Sequence, residues 1–173
     1  MRHDKVVLQQ WDLSCGAATL TTLLNNQHND FVTEKEVANA LMSRAEYIKN
    51  PALVNIRQGF SLLDLKRYVE NRGYKGIGYG QLTFDDLLKK APIIVPVSIF
   101  GYNHFVVFRG TLGNRVLLAD PAWGNRTMPI DQFDRMRIDF PKIGKVGFVV
   151  FDPNDPNPPN RMRPNANEFV MLR

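Results

Sequence analysis

Cys15, the only cysteine in the chain, is followed by Gly16, Ala17 and Ala18 and then by Leu20, Leu23 and Leu24, an apolar pattern at helical spacing that begins at the thiol. At a helix N-terminus the unpaired N–H groups and the positive end of the macrodipole stabilise a thiolate, and a thiolate attacks carbonyl carbon. Taken alone, a lone cysteine is more often a small buried filler. The nucleophile reading therefore needs a base, and the chain has three histidines. His3 lies at the N-terminus, and His28 lies among Asn25, Asn26, Gln27, Asn29 and Asp30, a solvated loop by composition. His104 follows Gly101-Tyr102-Asn103 and opens Phe105-Val106-Val107-Phe108, which places it at the mouth of a buried strand.

A hairpin offers this histidine a carboxylate. If residues 111–113 form a three-residue loop with Gly113 in the left-handed conformation, His104 pairs directly across the ladder with Asp120. Such neighbours lie ~5 Å apart at Cβ, close enough for a carboxylate to fix the imidazole tautomer. A one-residue slip would break the pairing, and Asp120 before Pro121 also reads as a turn former. Thiol addition to a carbonyl creates an oxyanion that needs a donor besides the N–H of the nucleophile. Gln9 and Gln10 both precede Cys15 closely, and neither composition nor spacing chooses between them. Zinc held by Cys15, His104 and Asp120 would lack the second cysteine or histidine of a usual set, so no metal or other cofactor is expected.

These residues need elements to position them. Helices are expected from Cys15 to about Asn26, after a Thr33 to Glu36 capping box, from Ser61 to Gly73, and from Thr83 to Pro92. Residues 93–100, 105–110, 115–120 and 147–152 are short Val-, Ile- and Phe-rich runs that read as strands. Helices first and strands second give an α+β domain with a helical half packed on an antiparallel sheet. The segment after Asp152 carries Pro153, Pro156, Pro158, Pro159 and Pro164 among Asn and Asp, and is expected to be extended.

With 173 residues, 44% of them hydrophobic and 23% charged, the chain fits one globular domain. Its net charge of +5 is spread without a basic stripe, which argues against a nucleic-acid partner. No apolar run approaches the ~18 residues of a membrane-spanning helix. Met1 to Lys5 do not begin a secretory signal, so the chain reads either as cytoplasmic or as an exported protein without its export segment.

Three segments in order, Gln9-Gln10-Trp11-Asp12-Leu13-Ser14-Cys15-Gly16-Ala17-Ala18, Asn103-His104-Phe105-Val106-Val107 and Ala119-Asp120-Pro121-Ala122-Trp123-Gly124, resemble peptidase family C39. Members are papain-like cysteine peptidases best known for cutting leader peptides after a double-glycine motif. The resemblance implies a papain-like peptidase domain over residues 1–152, followed by a tail over 153–173. It implies Cys15 as nucleophile, His104 as base, Asp120 as its orienting group and Gln9, rather than Gln10, as the oxyanion donor. Transporter-fused members usually carry Asp before the cysteine, where this chain has Ser14. That departure points to the stand-alone branch, and the first segment is similar to the peptidase-like component of bacterial functional-amyloid secretion, which is associated with the periplasm.

The implied partner is a secreted peptide or protein, such as a leader peptide or an amyloid subunit, cut after small Gly or Ala residues, with contact to secretion machinery. Trp11, Gly16, Asn103 and Trp123 are expected at the substrate cleft. Phe60, Leu62, Leu63 and Tyr68 could line a groove for an amphipathic leader helix, although residues at helical spacing are more often core. The alternative function is a peptide-binding or chaperone-like module that keeps the peptidase fold and recognises the secretion substrate without cutting it.

Overall fold

The computed structural model describes residues 2–10, 14–43, 45–50 and 61–172. Helix α1 (Cys15–Gln27) is buried on nearly every side, although it carries three threonines. Each hydroxyl turns back to the carbonyl four residues earlier, Thr19 to Cys15, Thr21 to Ala17 and Thr22 to Ala18, so the polar groups are satisfied inside the core. Capping boxes start the next regular helices: Thr33 with Glu36 at α2 (Glu34–Met42), Ser61 with Asp64 at α4 (Leu62–Asn71), and Thr83 with Asp86 at α5 (Phe84–Lys90). A short α3 (Ala45–Lys49) lies between α2 and α4.

One antiparallel sheet carries the C-terminal half, in the order β1-β8-β2-β3-β4-β5. Its strands are β1 (Lys75–Tyr79), β2 (Ile93–Ile99), β3 (Tyr102–Leu112), β4 (Arg115–Asp120), β5 (Gly124–Pro129) and β8 (Gly147–Phe151). Helix α6 (Ile130–Met136) and a small ribbon of β6 (Asp139–Phe140) and β7 (Gly144–Lys145) connect β5 to β8. Alternate strand residues serve opposite faces. Ile94, Val107, Ala119 and Phe148 meet Leu20, Leu24, Val37 and Leu65 of the N-terminal helices. Ile93, Val95, Val106, Phe108 and Leu118 meet Leu87 and Phe133 on the other side, where the Phe108 and Phe133 rings stack at 5.4 Å. With both faces covered, the central strands read as continuous apolar runs. Among the described residues no helix is long and apolar enough to cross a membrane.

The sequence reading did not include α3, β5, α6 or the β6–β7 ribbon, and three further features differ from it. The first is β1, unread because of Gly76 and Gly78; a Cβ at Gly76 would sit 2.8 Å from the Phe148 ring, so the glycine is what lets the strand close on that side chain. The second is the segment after Asp152, which is not simply extended. It carries α7 (Ala166–Met171), opened by an Asn165 and Glu168 capping box, and it docks. Gln27 donates to Pro159 O at 2.9 Å, the Arg161 N–H returns a bond to Gln27 at 2.9 Å, and Met162 and Phe169 are buried.

The third is the β3–β4 register. Leu112 faces Arg115 across a two-residue turn, not the three-residue loop expected, and Gly110 faces Leu117. A bulge at Arg109 follows, after which Phe108 faces Leu118 and Val107 faces Ala119. His104 is therefore not directly opposite Asp120. The ladder carried one step further would set Asp120 against Val106, which makes His104 its diagonal neighbour on the same face.

Candidate active site

Cys15 is the first residue of α1, and Ser14 is the residue before the helix. Ser14 makes no capping bond to the helix; its hydroxyl donates to the buried Glu34 carboxylate, which also accepts the Gln10 N–H at 3.0 Å. Glu34 thus grips the chain on both sides of the turn into the helix. The Thr19 hydroxyl lies 3.3 Å from Phe105 O, which sets the first turn of α1 against β3 beside His104.

The His104 imidazole stands between the thiol of Cys15 and the carboxylate of Asp120 and is hydrogen-bonded to both. Nε2 is 2.6 Å from Asp120 Oδ1, which leaves Nδ1 to the sulfur. Burial works against charge on this ring, but the bonds to Asp120 and Cys15 and their negative charge outweigh it, and the pKa is pushed up from 6.5 to about 9. Burial likewise works against a charged Asp120; the His104 bond and charge, the Ala122 N–H at 2.9 Å and Arg126 Nη1 at 3.3 Å outweigh it and hold the carboxyl below its ordinary range. The arrangement favours an imidazolium held by a buried carboxylate, with the Cys15 sulfur at its other nitrogen.

Gln9 and Gln10 separate in the structure. The Gln9 N–H donates to Pro121 O at 2.8 Å, which fastens it beside the Asp120 turn, and the residue is half-buried. Gln10 is exposed and directed by its backbone to Glu34.

Two cavities meet at Cys15, Asn103 and His104. One, of about 250 Å³, is walled by Leu62, Pro96, Phe105, Ile138, Phe140 and Val146. The other, of about 750 Å³, opens along Phe100, Tyr102, Ala122, Trp123 and Arg126. Asn103 and Trp123 thus lie where a substrate residue was expected. Gly16 does not; it is buried within the first turn of α1 and lines neither cavity. Trp11 and Phe60 fall outside the described residues. Leu62 lines the smaller cavity, Tyr68 packs on the helical core, and Leu63 is exposed, so these side chains do not form one groove.

Arg126, to which the sequence assigns no role, pairs with Asp120. The signal was present: in the β4–β5 hairpin Asp120 faces Gly124 and Leu118 faces Arg126, so the arginine shares the face of the aspartate. Among the described residues no group of three or more His, Cys, Asp or Glu side chains converges as a metal site. Cys15 and Asp120 bond to different nitrogens of one ring, so they do not converge on a common point.

The profile of the Peptidase C39 family matches residues 3–136. The probable functional amyloid protease FapD of Pseudomonas aeruginosa is 38% identical over 132 residues, covering 76% of this chain and 56% of that protein. The protein of the same description from Pseudomonas fluorescens is 39% identical over 133 residues, with the same coverage. The chain therefore spans little more than half the length of these curated relatives. Among solved structures, a double glycine motif protease from an AMS/PCAT transporter, crystallised with the leader peptide, superposes with a TM-score of 0.64 at 25% identity, covering 84% of this chain and 89% of that one. The peptidase domain of Streptococcus ComA, a bi-functional ABC transporter involved in a quorum-sensing pathway, gives 0.65 at 15% identity, covering 87% and 99%. The fold is thus the papain-like fold of these peptidase domains.

Proposed function

The chain belongs to the peptidase C39 family, and from that premise we propose that it is a cysteine endopeptidase that processes a secreted peptide or protein in a bacterial functional-amyloid or related secretion system. The observation that carries the reading is the meeting of Cys15, His104 and Asp120, from the start of α1, the start of β3 and the end of β4, in one hydrogen-bonded row. The Cys15 thiolate attacks the scissile carbonyl while His104 Nδ1 holds the proton, which it then gives to the leaving amine. Water, deprotonated by the same nitrogen, hydrolyses the acyl-enzyme. Asp120 keeps the ring oriented and supports its charge. The oxyanion is held by the Cys15 N–H, which a helix leaves without an intrahelical partner, and by the Gln9 side chain.

The cavities support cutting within a chain rather than at its end, since space opens on both sides of the sulfur. The double glycine motif named for the similar transporter protease favours cleavage after small residues, Gly or Ala, here as well. The FapD relatives, named as functional amyloid proteases, support a role in a functional-amyloid system, which we place in the periplasm. The test is to incubate the protein with extended peptides bearing Gly-Gly, Ala-Ala or Leu-Leu at one site and to read the products by mass spectrometry. The expected result is cutting after Gly and Ala, little after Leu, and none by Cys15→Ala. Cleavage that persists in Cys15→Ala would refute the mechanism, and equal cutting at all three would refute the specificity.

A further inference from the structure

The bulge in β3 decides which face Asp120 presents. If the ladder ran on regularly from Gly110 and Leu117, residue 109 would face Leu118 and Val107 would face Asp120. Asp120 would then share the face of Val107, which packs on the N-terminal helices, and point away from His104. Taking up Arg109 as an extra residue restores the face that the hydrogen bond needs.

A bulge costs ladder bonds, so something must hold it. Arg109 is fully buried, and each nitrogen of its guanidinium lies within 3.0 Å of an oxygen. Nε donates to Met162 O at 2.8 Å, Nη1 donates to Asn125 Oδ1 at 2.9 Å, and Nη2 is 3.0 Å from the Glu168 carboxylate, itself buried. The carbonyl of Arg109 accepts from Asn160 Nδ2 at 2.8 Å. Next to it Gly110 has φ +141, and a Cβ there would lie 2.9 Å from Pro164. In the regular register the arginine would be carried to the Leu118 face, the side of Val116 and Phe133, away from all these partners. An uncompensated buried charge is strongly destabilising, and a buried charged group is best attested as a register-specifying device.

We propose that Arg109, anchored by Met162, Asn125 and Glu168, is a positioning residue that locks the β3 bulge and so keeps His104 and Asp120 on one face. Residues 160–168, beyond the 3–136 matched by the family, are thereby part of the support of the active site. The consequence for catalysis rests on the peptidase reading; the lock itself does not.

The test titrates His104 by NMR in the whole chain and, separately, measures cleavage of the Gly-Gly peptide. In Arg109→Met the His104 midpoint is expected to fall from about 9 toward 6.5. Its kcat is expected to drop on the order of 100-fold, with KM changed by less than about threefold. Deleting Arg109 in a Glu168→Gln background removes the extra residue together with the charge it paired. Phe108 can then face Leu118 without a bulge, and the His104 midpoint is expected to return to about 9. Loss of a merely structural contact would not be rescued by a deletion. A folded Arg109→Met that keeps its midpoint near 9 overturns the lock, as does a folded deletion variant whose midpoint stays near 6.5. If Arg109→Met does not fold, the deletion variant decides by the same readout. Absence of cleavage in the unsubstituted chain would count against the peptidase reading and leave the titration to judge the lock.

Discussion

Replacing Asp120 by Asn removes the charge that governs His104 while keeping an amide of nearly the same shape. Burial alone lowers the imidazole, and the bonds to Asp120 and to Cys15 carry it from 6.5 up to about 9. Without Asp120, burial is opposed by the thiol alone, and the midpoint is expected at or below 6.5. At pH ~8 a group with a pKa of about 9 is ~90% protonated and one at 6.5 is ~3% protonated, so the supply of imidazolium drops ~30-fold. The assay is an NMR titration of the ring protons of the three histidines, with His104→Ala to assign the signal. Peptide cleavage followed over the same pH range should lose its alkaline limb near 9 and acquire one that begins at more acidic pH. An Asp120→Asn protein whose His104 still titrates near 9 would mean that the carboxylate does not set the protonation of the ring, and the account of the site would fail.

Two other outcomes follow from the same structure. Because the folded pKa of His104 is raised, its protonated form stabilises the fold fully below pH 6.5, and that contribution disappears as pH rises through about 9. The loss is on the order of 3 kcal/mol, visible as a falling denaturation midpoint across that window in the parent and a nearly flat one in Asp120→Asn. Leu20 is fully buried between α1 and the sheet, and Leu20→Ala is expected to cost about 2–5 kcal/mol in chemical denaturation.

What the sequence disclosed was local. The helix caps at Thr33, Ser61 and Thr83 are read from a few consecutive residues, and each helix starts directly after its cap. The helix beginning at Cys15 and the apolar bodies of β2, β3, β4 and β8 were legible for the same reason. What stayed hidden depends on partners distant in the chain. Gly76 reads as a breaker until the Phe148 ring is set against it, and Arg109 shows no role until Met162, Asn125 and Glu168 close around it. The Asn165 and Glu168 box of α7 was visible in principle, but the prolines before it dominated the composition.

The β3–β4 hairpin shows how a site can be found through a wrong register. The turn is shorter than expected, which by itself would have turned Asp120 to the opposite face from His104, and the bulge at Arg109 turns it back. Two departures that sequence reasoning did not foresee cancel in the one property that matters, the face. Direct opposition is not what the chemistry requires, because a diagonal pair on one face still brings Asp120 Oδ1 to 2.6 Å from Nε2. A side chain's face changes with every single-residue slip, whereas its nearest partner only slides along the strand. Selection on the hydrogen bond therefore acts on the parity of the hairpin, and the residue that sets parity is the buried arginine at the bulge rather than any residue that touches the sulfur.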